Sequence, residues 1–149
     1  MAGLYFEEFS AGQKIETVGR TLSEDAIFSF AGLTGDYNQI HTDAEFSKTT
    51  QFGQRIAHGL LGLSIAVGLI MRTGKLEGTV LAFREINDWK FVKPFFIGDT
   101  IHAVLSIVET KALPRIGAGS LTALVEVLSQ KNEVCQRGSL NLLVLSKPA

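Results

Sequence analysis

Gly59-Leu60-Leu61-Gly62-Leu63-Ser64-Ile65-Ala66-Val67-Gly68-Leu69-Ile70-Met71 decides the fold. The uncharged run around it, Ile56 to Met71, lies between Arg55 and Arg72. At sixteen residues, with a histidine and three glycines inside, it falls short of the roughly 20 apolar residues that span a bilayer. A helix over 59–71 fits, because Arg72 supplies a basic last turn and Gly74 a C′ glycine. Such a helix has no polar face and predicts burial on every side. The rest of the chain has to supply the cover.

Downstream, the pattern changes to strands at 79–92, 99–110, 119–130 and 133–146. The breaks are Lys93-Pro94, Ile97-Gly98-Asp99, Pro114 to Gly119 and Lys131-Asn132, the last a tight hairpin. In 99–110, Ile101, Ala103, Leu105 and Ile107 alternate with Thr100, His102, Val104 and Ser106, so one face is buried and the other mixed. Upstream, 14–20 alternates loosely and predicts a first strand. Ser23 is placed to cap a helix over 24–33, with Glu24 and Asp25 in its first turn and Gly35 as its stop. Residues 36–42 then form a loop, and a short helix over 43–48 is capped by Thr42 or Asp43. The expected fold is α+β of hot-dog type, a long antiparallel sheet wrapped around the one apolar helix. Gly59, Gly62 and Gly68 are expected to let the sheet come close. One domain over 1–149 accounts for the length.

Composition narrows the function. Fourteen basic against fifteen acidic residues, without a Lys/Arg cluster, exclude a nucleic-acid binder. The single Cys135 excludes an intramolecular disulfide and a CxxC metal site and points to a reducing, cytoplasmic setting. Acid at Glu7 and Glu8, with no basic n-region, predicts no signal peptide, and no membrane partner is expected. Open sheet edges and a positive mean hydropathy of +0.22 predict association, as a homodimer or a dimer of dimers.

Chemistry concentrates in Gly35-Asp36-Tyr37-Asn38-Gln39-Ile40-His41. Asp36 and His41 can exchange protons at neutral pH once burial shifts either group. Asn38 can orient one of them, and Phe30, Tyr37 and Ile40 can wall them. As a turn, the same stretch is ordinary. His58-Gly59 opens the apolar helix, where unpaired N–H groups sit at the positive end of the dipole and a residue without Cβ admits a ligand oxygen. His58 itself can instead satisfy a backbone group. Gly62-Leu63-Ser64-Ile65-Ala66 is no nucleophile elbow, because it lies inside a helix, where Ser64 back-bonds to the Leu60 carbonyl. Three scattered histidines offer no metal site.

Thr34 to His41, followed by Arg55-Ile56-Ala57-His58-Gly59-Leu60 and later by Phe91 to Thr100, resembles the MaoC-like dehydratases, including the (R)-specific enoyl-CoA hydratases. The resemblance covers nearly the whole chain. It implies a hot-dog fold and a hydro-lyase that reversibly hydrates a trans-2-enoyl thioester to the (R)-3-hydroxyacyl thioester. The acyl carrier is CoA or acyl-carrier protein, and no cofactor is needed. Asp36 and His41 match the catalytic pair, Gly59 the oxyanion-hole amide and Asn38 the supporting amide. Tyr37, His58 and Arg55 are further candidates for contacting substrate. Gln39 departs from the family, which often has proline there. A hot-dog thioesterase, which needs a carboxylate near the central helix, and a silent acyl-binding subunit are the rival readings.

Overall fold

The computed structural model describes residues 3–148. Six strands form an antiparallel sheet: β1 (Lys14–Glu16), β2 (Arg20–Thr21), β3 (Val80–Phe91), β4 (Thr100–Leu113), β5 (Ala118–Leu128) and β6 (Val134–Leu145). The order is β1-β4-β5-β6-β3, with β2 also on β4. The helices are α1 (Glu24–Thr34), α2 (Gln39–Thr42), α3 (Ala44–Lys48) and α4 (Gly59–Arg72). This is the hot-dog arrangement, the sheet curling round α4. The alternation in β4 holds, with Ile101, Ala103, Leu105 and Ile107 buried. They join Leu121, Ala123, Val125 and Val127 of β5, Leu140, Leu142 and Val144 of β6, and Leu61, Ile65, Ala66, Leu69 and Ile70 of α4 in one core. Among the described residues no helix is long and apolar enough to cross a membrane.

Three expectations need correction. The strand over 14–20 is two short pieces, because Thr17 turns its side chain onto the Ala103 N–H and interrupts the pairing. Residues 36–42 are not all loop. Asn38 caps a helical turn, its Oδ1 accepting from the Ile40 N–H at 3.2 Å, and His41 rides on that turn. The following helix takes Asp43, one of its two expected caps. Finally, α4 is not enclosed all round. Leu60, Ser64, Gly68 and Arg72 form an i, i+4 stripe that stays exposed, with Leu60 at 59%. A single sheet curls round only one side of a helix, so apolar character on the far side does not bring its own cover. Gly68 accordingly meets nothing where a Cβ would stand, whereas one at Gly62 would press on Phe95 and Gln136.

Candidate active site

α1 ends on Gly35 in the left-handed region (φ 79°), which only glycine adopts freely, and the chain reverses towards α4. The Asp36 carboxylate then accepts the Asn38 backbone N–H at 3.2 Å. Asn38 thus supports Asp36 through its main chain while its carboxamide caps α2. His41 follows, buried to 7% exposure. Its Nδ1 lies 2.7 Å from the Ile56 carbonyl oxygen. A carbonyl only accepts, so Nδ1 carries the proton and Nε2 keeps its lone pair. Burial pushes the imidazole below its ordinary pKa, and His58 adds to that. The Ile56 carbonyl and the Asp36 carboxylate oppose it.

His58 occupies the N-cap position of α4, and its side chain makes no capping hydrogen bond there. It is 2% exposed, its ring is stacked on His41 with centroids 3.8 Å apart, and Phe30 packs against it at 4.9 Å. Its Nε2–H donates to the Asp36 carbonyl at 2.9 Å. One imidazole therefore ties the start of α4 to the loop that carries Asp36. The buried Nδ1 of His58 has no partner among the described residues. Asp36, His41 and His58 place one ligand-type atom each within 4.8 Å of one another. That set suits a metal poorly, because stacked rings aim their in-plane lone pairs side by side instead of at one point, and His58 Nε2 is committed to a carbonyl.

A cavity of about 520 Å³ opens beside His41. Its wall carries His41, Gly59, Phe91, Phe95, Lys93 and Gln136, with Ile40, Phe52, Ile56 and Leu60 among the apolar remainder. Among the described residues, no Asp or Glu lines it. At the first turn of α4, the N–H groups of Leu61 and Gly62 turn back to the His58 carbonyl, while those of Gly59 and Leu60 have no backbone acceptor among the described residues. Two free donors at the positive end of a helix can receive a negatively charged oxygen. The space a Cβ would fill at Gly59 holds the Phe91 ring, 2.7 Å away.

His41 and Gly59 therefore share the cavity wall, while Asp36 is exposed and off that wall, with a ligand-type atom within 4.8 Å of one on His41. Three expected substrate contacts are placed elsewhere. Tyr37 is 57% exposed and off the cavity wall. Arg55 pairs with Glu24 of α1. His58 satisfies a backbone carbonyl, as a buried histidine at a helix entry does. Gln136 escaped the sequence reading, and Phe91 and Phe95 entered it only within the Phe91 to Thr100 signature, without a place in the site. Gln136 did leave a signal, a polar residue in register with Leu140, Leu142 and Val144 on the buried face of β6.

The sequence model of the MaoC like domain family matches residues 7–128. The chain is 36% identical to the protein MaoC of Klebsiella aerogenes over 68% of its length, but spans only 30% of that protein. It is 33% identical to an (R)-specific enoyl-CoA hydratase of Rhodospirillum rubrum, covering 69% of each chain. Among solved structures, one described as a monoamine oxidase regulatory protein from Archaeoglobus fulgius superposes with a TM-score of 0.91. The identity is 38%, covering 99% of this chain and 98% of that one.

Proposed function

The chain belongs to the MaoC-like family, and from that premise we propose that it is a hydro-lyase adding water to a trans-2-enoyl thioester to give the (R)-3-hydroxyacyl thioester. The observation that carries the reading is the setting of His41. Its Nδ1 is fixed on Ile56, which leaves the Nε2 lone pair free; a ligand-type atom of Asp36 lies within 4.8 Å of one on the ring, and Gly59, whose N–H has no backbone acceptor among the described residues, shares the cavity wall with His41.

The thioester carbonyl accepts the Gly59 N–H, which draws electron density from the double bond and makes C3 electrophilic. One water donates its two hydrogens to His41 Nε2 and to Asp36. Two such bonds of about 2.8 Å at a tetrahedral angle bridge acceptors roughly 4.5 Å apart, within the 4.8 Å that bounds the separation of one ligand-type atom on each residue. A lone pair of the water oxygen adds to C3 as one member of the pair takes its proton. Charge collects on the thioester oxygen, where an oxyanion donor of this kind contributes about 2.7–4 kcal/mol. A proton from the pair then reaches C2, and the pair ends as it began. The two groups act as a unit, so the role of base belongs to the dyad. Dehydration retraces the same steps.

The carrier is CoA, with acyl-carrier protein as the alternative. Lys93, the one Lys or Arg side chain on the wall among the described residues, supports phosphate recognition. A homodimer formed along β3 fits the exposure of Leu81, Phe83 and Phe91 on that edge strand. The deciding experiment follows loss of enoyl absorbance with crotonyl-CoA. Asp36→Asn and His41→Ala should each lower turnover about 10²–10⁴-fold while circular dichroism stays native. Near-normal turnover in either variant would refute the reading. Release of free thiol would favour a thioesterase, and binding without chemistry a silent subunit.

A further inference from the structure

Gln136 is the one carboxamide on the cavity wall, at 2% exposure. Its two ends are held by different elements. The Trp89 indole N–H donates to Oε1 at 3.3 Å, and Nε2 donates to the Gly59 carbonyl at 3.0 Å. An indole N–H can only donate and a carbonyl can only accept, so the amide has one orientation. The surroundings are cut to fit it. A Cβ at Gly62 would stand 2.4 Å from Nε2. Trp89 sits in a register shift of β3 next to Asp88, whose φ is 52°. It packs where a Cβ at Gly138 would be 2.6 Å from its ring. Two glycines and a strand irregularity thus accommodate one hydrogen bond.

The acceptor of that bond matters. The Gly59 carbonyl shares its peptide unit with the Leu60 N–H, which lies beside the Gly59 N–H on the open first turn of α4. A donor on the carbonyl polarises that peptide, strengthening its N–H by something like 10–30%. It also resists rotation of the turn when charge appears on a bound oxygen. We propose that Gln136, oriented by Trp89, is a positioning residue for the oxyanion hole, keeping the Gly59 and Leu60 N–H groups aimed at the thioester oxygen. The assignment rests on the hydratase reading, and it acts on the transition state more than on ground-state binding.

The test uses the full-length protein with Gln136→Met, which keeps volume and removes both hydrogen bonds, with Trp89→Phe, and with the double variant. Crotonyl-CoA hydration by Gln136→Met should show kcat down about tenfold, the scale of one hydrogen bond, with KM within threefold. Trp89→Phe should fall in the same direction by less, and in the Gln136→Met background it should change nothing further, since its effect passes through Gln136. Hydrogen exchange of the Leu61–Leu63 amides should be at least threefold faster in Gln136→Met. A kcat within twofold of wild type, a KM effect alone, or additive single variants would overturn the assignment and leave the hydratase reading intact. If wild type fails to hydrate crotonyl-CoA, the hydratase reading falls. The exchange result alone then decides whether Gln136 holds the turn, and unchanged exchange refutes that as well.

Discussion

His58 makes possible a prediction in which stability and activity part company. His58→Phe keeps an aromatic ring between His41 and Phe30, at 3.8 and 4.9 Å from their centroids in the native protein, and deletes both ring nitrogens. Losing the Nε2–H bond to the Asp36 carbonyl removes about 0.5–1.5 kcal/mol. The low end applies, because Asp36 is exposed and water can take over its carbonyl. Against that, the buried Nδ1 without a partner disappears, which recovers about 1–3 kcal/mol if its penalty is typical of buried polar atoms. The melting temperature should therefore be unchanged or slightly raised. Turnover should nonetheless fall about tenfold, because the tie that sets the Asp36 loop against the start of α4 is gone. His58→Ala differs: it also leaves a ring-sized hole, at about 3–5 kcal/mol for comparable aromatic truncations, or roughly 6–20 °C in a chain of this size. The measurements are thermal melts by circular dichroism and crotonyl-CoA kinetics on both variants. Wild-type turnover in His58→Phe, or a destabilisation equal to that of His58→Ala, would show that the ring matters only as packing.

Two further outcomes follow from the same geometry. Burial lowers the His41 pKa, so the acid limb of kcat/KM should have its midpoint below the ordinary histidine value of about 6.5; a midpoint at or above 6.5 contradicts the buried setting. The stability sign is the same. A histidine less basic when folded leaves the unfolded chain binding more protons, so its contribution is lost as pH falls from about 6.5 through the lowered value. Denaturant melts of His41→Ala should lack that component. If β3 is the dimer edge, charge at Leu81 and Phe83 together (Leu81→Lys, Phe83→Lys) should yield a monomer by light scattering. An unchanged mass would move the interface elsewhere.

Gln39 shows what determines the pose of His41. Proline there would stiffen the chain by fixing φ, so Gln39 leaves its own φ less constrained. Position 39 is the first residue of α2, where proline and other residues alike leave no helical N–H bond unmade. The imidazole is fixed instead by Ile56, fifteen residues on. No reading of the motif alone reaches that carbonyl.

Local physics settled a good deal in advance. Helix caps at Ser23 and Asp43, the left-handed stop at Gly35, the Ser64 back-bond to Leu60 and the alternation of β4 depend on neighbours within a few residues, so they are written in the sequence. The sequence also placed an acid, an imidazole and a helix-start glycine in order along the chain, with residue types that can do proton transfer. Tertiary structure decided the rest. It alone set the exposed stripe on α4, the seat of Phe91 over Gly59, the stack of His58 on His41 and the reach of Gln136 to the first turn of α4. Those contacts join residues from 17 to 77 positions apart, and their energies exist only after the chain has closed the loops between them. Periodicity reports which face of an element is apolar; which neighbour meets that face is a property of the assembled fold.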